Sequence, residues 1–263
     1  MISFVSALNL IQKNVSKSLN SEFIDVYESL GRILASDLHS KCDYPRENLS
    51  SMDGAVIFKS DLQLEEIKIV GEIKAGDGFT NDFSKGESKL IFTGGIIPGK
   101  NKIIIPKEQF LISKNKLIIK ERKFQNYIRI KGSDFKKNEL CISKNTKMSC
   151  RTVALAAAMR IKKIKVFKKP DVIVIITGDE LISSKNKSPL VISTNQIMIK
   201  KIVDEFGGNL KNIYVVKDKT EDLENLIKKL GNFDILITSG GISQGKYDLV
   251  KKVLCKQKMK ILF

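Results

Sequence analysis

Apolar residues recur at near-helical spacing through the first part of the chain. Phe4, Leu8, Ile11 and Val15 follow Ser3, which predicts a helix with a serine cap. Phe23, Val26, Leu30 and Leu34 predict a second helix over 21–35, so that residues 1–40 read as helical. Pro45 and the polar run at 46–50 end this pattern. From about 54 to 131 the texture changes to short apolar runs at 55–58, 67–70, 90–93, 103–105, 117–119 and 127–130, separated by Gly, Asp, Asn and Lys. Strands so short and so spaced predict a small β domain, a barrel or a sandwich. Strong helix formers return at 149–159, and a helix there would make the β segment an insertion within a helical domain.

After Pro170 the pattern becomes βαβαβ. An apolar strand at 172–177 ends in Gly178, a helix over 194–206 stops at Gly207-Gly208, and a strand at 213–216 leads to a helix from Thr220 to about 230. A third strand at 234–238 runs into Ser239-Gly240-Gly241. Apolar strands alternating with helices predict a parallel sheet covered on both faces, with its binding site beyond the strands' carboxyl ends. Two chemistry-bearing loops fall there, one with Asp179 and Glu180, the other with Ser239, Gly240, Gly241 and Ser243 followed by Asp248. Their glycines let backbone N–H groups approach a phosphate, and the acids suit a divalent cation beside it. Tight strand-to-helix turns use the same residues, so both readings stand at this point. In the β segment, Ser51-Met52-Asp53-Gly54 and Phe92-Thr93-Gly94-Gly95 are turns by themselves, as is Gly132-Ser133-Asp134 after Arg129.

Composition narrows the class. The balance of charged and apolar residues over 263 positions is that of a globular protein and excludes wholesale disorder. No apolar stretch approaches the roughly 20 residues that span a bilayer, and the start lacks a basic segment before an apolar run, so a cytoplasmic protein is expected. The net charge of +17 comes almost wholly from lysine, with only six arginines and no tryptophan. Nucleic-acid readers favour arginine forks and stacking aromatics. A chain-wide lysine bias or a field for a small polyanion fits better, and no nucleic-acid or membrane partner is expected. Cys42, Cys141, Cys150 and Cys255 form no close pair, and His39 is the only histidine, which argues against a zinc site and any histidine-pair mechanism.

The turns form an ordered series: Gly31 to Asp37, Ser51-Met52-Asp53-Gly54, Ala75-Gly76-Asp77, Ile91-Phe92-Thr93-Gly94, Arg129 to Asp134, Thr177-Gly178-Asp179-Glu180-Leu181, and Ser239 to Asp248. In this order and spacing the chain resembles the molybdopterin molybdenumtransferase family, which includes bacterial MoeA and the gephyrin E domain. The resemblance implies a Mg²⁺-dependent insertion of molybdenum from molybdate into adenylylated molybdopterin, with release of AMP. It further implies a cytoplasmic homodimer and a molybdopterin adenylyltransferase as partner. The implied fold is multi-domain α/β: a helical dimerisation domain (1–44 and 135–168), an inserted β domain (45–134) and an incomplete molybdopterin-binding α/β domain (169–263). On the same resemblance, the family's C-terminal β-barrel is expected to be absent.

The family's site, formed where the α/β domain of one subunit meets the β domain of the other, carries over residue by residue. It implies catalytic roles for Asp53, Thr93, Asp134 and Glu180. Gly94, Gly178, Asp179, Asp218, Ser239, Gly240, Gly241 and Ser243 would bind the pterin nucleotide, and Asp248 and Glu180 the metal. Five positions depart from the family pattern. Ala55-Val56 replaces Tyr-Ala, Gly95 replaces Ala, Lys246 stands where an acid is common, and Arg160 stands at a helix end that usually has Gly. The last residues, Lys260 to Phe263, precede the family's Lys-Pro-Gly-Lys-Pro segment. Beside the enzyme, the resemblance therefore leaves open a non-catalytic pterin-nucleotide-binding or scaffold protein. An adenylyltransferase of the related single-domain family fits the long N-terminal part less well.

Overall fold

Ser3 caps α1 (Phe4–Asn14), its hydroxyl accepting the Ser6 N–H at 3.2 Å, in the computed structural model, which describes residues 2–15, 20–122, 125–178, 194–240, 249–257 and 259–263. The next segment departs from the sequence pattern. Residues 21–35 form no helix; they contain β1 (Ser21–Asp25) and a single 3-10 turn at Val26–Glu28, capped by Asp25, whose carboxylate accepts the Tyr27 N–H at 2.9 Å. The apolar repeat misleads because its members do not share a face: Val26 and Leu34 are buried, whereas Phe23 and Leu30 are well exposed. Gly31 adopts φ +76°, and Arg32 is drawn to Glu22 at 2.6 Å and to the Phe167 carbonyl at 2.8 Å, contacts that a continuous helix would break.

The elements that follow are β2 (Leu38–His39), β3 (Leu49–Ser50), β4 (Gly54–Phe58), β5 (Ile67–Ile73), β6 (Glu87–Ile91), β7 (Lys102–Pro106), β8 (Phe110–Ser113), β9 (Lys116–Ile119), β10 (Ile128–Arg129) and β11 (Leu140–Ile142). Then come α2 (Cys150–Ala158), β12 (Lys163–Phe167), β13 (Asp171–Thr177), α3 (Thr194–Glu205), β14 (Asn209–Val216), α4 (Thr220–Lys229), β15 (Ile235–Ser239) and α5 (Leu249–Lys256). The chain divides into two units, one of residues 1–23, 31–35 and 165–263, the other of residues 24–30 and 36–164.

The second unit is built on one six-stranded mixed sheet in the order β7-β4-β6-β5-β9-β8, with β5 and β6 parallel and the other neighbours antiparallel. Both of its faces are apolar. Ala55 and Ile57 of β4 join Ile67, Ile105 and Leu117 on one side, and Val56 joins Ile73, Phe83, Ile91 and Ile104 on the other. Covered on both sides, β4 and β7 read as continuous apolar runs, whereas β5 alternates buried and exposed positions.

Helix α2 begins with a capping box, in which Ser149 and Thr152 exchange side-chain and backbone hydrogen bonds. It ends in the two bonds of a Schellman motif, from the Arg160 N–H to the Ala157 carbonyl and from the Ile161 N–H to the Ala156 carbonyl. Arg160 occupies the left-handed position at φ 59°, where glycine carries no steric penalty. Arg160→Gly is therefore expected to raise stability by about 1 kcal/mol, read as a higher urea midpoint at unchanged slope.

In the first unit the βαβαβ expectation holds. Strands β14, β13 and β15 lie parallel in that order, with Ile176 of β13 opposite Val215 and Ser239. Val172, Val174 and Ile176 meet Ile199 and Val203 of α3 on one face. On the other, Ile175 meets Leu223 of α4 and Val250, Val253 and Leu254 of α5. Each of these buried aliphatic side chains contributes about 2 kcal/mol, and together they fix the register that sets the strand ends side by side.

Candidate functional site

In the second unit, Asp53 lies in the short connection between β3 and β4. A Cβ on Gly54 would stand 2.1 Å from the Ile105 carbonyl oxygen, so only glycine lets β4 start flush against β7 at this point. The Asp53 carbonyl accepts the Lys107 N–H at 3.1 Å, which holds the residue at the sheet end. Its carboxylate Oδ1 accepts both the Thr93 N–H and the Thr93 hydroxyl, each at 2.8 Å, and Lys107 Nζ stands 4.0 Å from Oδ2. The Thr93 backbone and side-chain hydrogen bonds, with Lys107 adding attraction, hold this carboxyl below the usual carboxylate range. At neutral pH it is a half-exposed, fully ionised group.

The facing turn is fixed by its own bonds. Gly94, at φ +86°, donates to the Ser50 carbonyl at 2.8 Å, and Ser50 donates to the Gly95 carbonyl at 2.9 Å. A Cβ on Gly95 would lie 2.9 Å from both Ile91 Cγ1 and the Phe92 carbonyl, so this chain's turn is tighter than one that admits alanine. An open groove leads from Asp53 and Lys107 past Phe92 to Leu111 and Ile112. Asp53, Thr93 and Gly94 thus form one cluster, as the motif series implies.

Asp134 belongs to a different network. Arg129 engages both of its carboxylate oxygens, through Nε at 3.3 Å and through Nη2, while the guanidinium lies 5.4 Å from the Tyr44 ring centroid. The Asp134 side chain raises the Arg129 pKa further above its ordinary value. Among the described residues, Asp134 has no hydrogen bond or ion pair to Asp53 or Thr93. Its bidentate pairing is that of a residue shaping the 129–135 turn, where Tyr44 stacks on Phe135 at 5.3 Å.

In the first unit, Gly178, Asp218, Ser239 and Gly240 come together at the carboxyl end of the parallel sheet, as expected for such a fold. The Gly178 N–H donates to the Val216 carbonyl at 3.2 Å. Gly240, at φ +92°, approaches so closely that a Cβ would lie 2.4 Å from the Thr177 carbonyl oxygen. Ser239 Oγ accepts from Asn195 Nδ2 at 3.1 Å, which joins the sheet end to the start of α3. Asp179, Glu180, Gly241, Ser243 and Asp248 lie outside the described residues. Among the described residues no group of three or more His, Cys, Asp or Glu could hold a metal ion. The described part of this edge offers the Thr177 and Ser239 hydroxyls and the Asn195 amide, donors that suit an anion.

Two contributors escape the motif reading, and a third, Thr177, stands in a motif without an assigned role. Lys107 has no local signature, because only the pairing of β4 with β7 brings it to Asp53. Asn195 could be found from its place at the start of a helix that follows a strand. Thr177 Oγ1 is buried, with no hydrogen-bond partner among the described residues. A buried hydroxyl without a partner is costly, so Thr177→Val is expected to stabilise the unliganded protein by about 1 kcal/mol in thermal or urea unfolding.

Comparison with known proteins places these features in a lineage. Residues 2–159 match the sequence model of the "MoeA N-terminal region (domain I and II)", and residues 173–262 match that of a "Probable molybdopterin binding domain". The molybdopterin molybdenumtransferase of a Nostoc species is 29% identical over 265 residues, which cover 96% of this chain and 60% of that protein. The Staphylococcus epidermidis protein of the same name is 29% identical over 272 residues, 100% of this chain and 65% of its own. A crystal structure of a molybdopterin biosynthesis MoeA protein from Pyrococcus horikoshii matches with a TM-score of 0.76 and 29% identity, over 97% of this chain and 66% of that one. The chain spans about 60–65% of the length of these curated relatives. With a family model matched across more than half of its residues, and a solved relative that shares its architecture, the chain belongs to the MoeA family and has its fold.

Proposed function

We propose that the chain acts in molybdenum cofactor biosynthesis, inserting molybdenum from molybdate into adenylylated molybdopterin and releasing AMP. The observation that carries this reading is the anion-suited edge of the parallel sheet, where Ser239, the close-set Gly240 and the Thr177 hydroxyl, without a partner among the described residues, meet. These groups, with Gly178, Asp179, Asp218, Gly241 and Ser243, bind the pterin nucleotide and hold its phosphoanhydride for cleavage. Mg²⁺ held by Glu180 and Asp248 would supply charge neutralisation during that cleavage. Asp53, kept ionised by Thr93, is assigned a catalytic role, as are Thr93, Asp134 and Glu180.

The same reading divides the chain into a helical dimerisation domain (1–44 and 135–168), a β domain (45–134) and a molybdopterin-binding domain (169–263). A homodimer is supported by α1, which buries none of its residues and exposes Phe4, Val5, Leu8 and Ile11. A molybdopterin adenylyltransferase would supply the substrate. A cytoplasmic location accords with this chemistry, and no helix among the described residues is long and apolar enough to cross a membrane.

The experiment is molybdate-dependent release of AMP from adenylylated molybdopterin with Mg²⁺. Release is expected from the folded chain, and its absence contradicts catalysis. Lys246, where the family commonly has an acid, favours a second reading in which the chain binds the pterin nucleotide without turning it over. Tight calorimetric binding without AMP release would establish that alternative.

A further inference from the structure

Lys102, the first residue of β7, carries a side chain that is only 1% exposed. Its ammonium lies 3.0 Å from the Phe58 ring centroid and 3.9 Å from that of Phe83. Asp82 Oδ1 stands 2.8 Å away as its ion-pair partner, so charge and ring-face attraction hold the group. Phe58 is the cross-strand neighbour of Lys102 in the sheet. Asp82 and Phe83 instead belong to the connection between β5 and β6, residues 74–86, so two of the three groups that offset a buried charge come from one loop.

The loop is shaped to reach this anchor. Asp82 lies against Gly99, where a Cβ would fall 2.2 Å from Oδ2, and Lys89 Nζ donates to the Asn81 carbonyl at 2.6 Å. At its other end the loop touches the Asp53 cluster. The Phe92 N–H donates to the Ile73 carbonyl at 3.0 Å, and a Cβ on Gly94 would stand 3.3 Å from the Ala75 methyl. An ammonium this deeply buried loses most of its compensation whenever the loop lifts. The cation therefore favours the state in which residues 74–86 lie down, with Ala75 against the turn that holds Asp53.

We propose that Lys102 is a positioning residue, a buried cation whose Asp82 and Phe83 contacts seat the 74–86 loop and thereby hold the Thr93-Gly94 turn in place against Asp53. The proposal rests on the Asp53–Thr93 cluster being functional, but its test does not read catalysis. Hydrogen exchange is measured by mass spectrometry on the full chain with Asp82→Asn, Lys102→Met and the double variant. The Asp53 carboxyl is titrated by NMR in the same proteins.

Asp82→Asn is expected to speed exchange of amides 75–83 and 93–95 about tenfold while those of β4 and β7 stay protected. It is also expected to move the Asp53 titration up towards the ordinary carboxylate value. In the Lys102→Met background the Asp82 change adds nothing. Unchanged exchange at 93–95, an unmoved Asp53 titration, or parallel loosening of β4 and β7 overturns the proposal. Should Lys102→Met fail to fold, Asp82→Asn, altering a half-exposed side chain, decides alone. Loss of AMP release in the wild type would count against the proposed function and leave these outcomes untouched.

Discussion

Gly54→Ala is expected to destabilise the protein by about 3 kcal/mol and to lower its thermal midpoint by roughly 10 °C. The new methyl would lie 2.1 Å from the Ile105 carbonyl oxygen, 2.9 Å from its carbon and 3.1 Å from Pro106 Cα. All three are backbone atoms, so no rotamer change relieves the clash. Gly54 pairs with Pro106 on one side and Ile91 on the other, and a shift of β4 therefore disturbs two strand pairs at once. The adjoining Asp53 would move with it. Circular dichroism melting checks this, with Gly231→Ala as the control, because a Cβ at Gly231 meets nothing within 4 Å and its backbone is not left-handed. A Gly54→Ala midpoint no lower than the control's contradicts the geometry.

Asp53→Asn is expected to reduce AMP release on the order of 10²-fold while leaving the melting temperature within about 2 °C of wild type. An asparagine oxygen still accepts the two Thr93 donors, so the turn keeps its shape. What disappears is the negative charge that those donors and Lys107 maintain at neutral pH. Asp53→Ala removes the acceptor as well and is expected to loosen the 93–95 turn, seen as faster amide exchange. Near-normal release by Asp53→Asn would mean that the carboxylate only braces the turn. Steady-state assays on the two variants separate charge from scaffold.

The parallel sheet was legible in the sequence because β13 is a continuous aliphatic run ended by glycine, with both faces covered by amphipathic helices. The 21–35 segment was not, since Phe23, Val26, Leu30 and Leu34 keep helical spacing without sharing an environment. There Gly31 and the Asp25 cap outweigh periodicity. Arg160 was readable as an ill-suited helix end, and its φ of 59° is the strain that reading implies. The Asp53 and Thr93 turns were individually indistinguishable from ordinary bends, and only their order within a family series marked them. Lys107 and Lys102 lacked even that signal, because strand register creates their contacts and forty lysines hide the two that matter.

A pterin-nucleotide site at the carboxyl edge of β13 and β15 underlies the proposed function, and equilibrium binding tests for it. Adenylylated molybdopterin is titrated calorimetrically into the wild-type chain and into Thr177→Val. One site per chain is expected in the wild type, with about tenfold weaker binding in a variant that melts no lower, as loss of one buried hydrogen bond to ligand requires. A folded wild-type chain that takes up no ligand, or a Thr177→Val protein that binds as tightly as wild type, would contradict it.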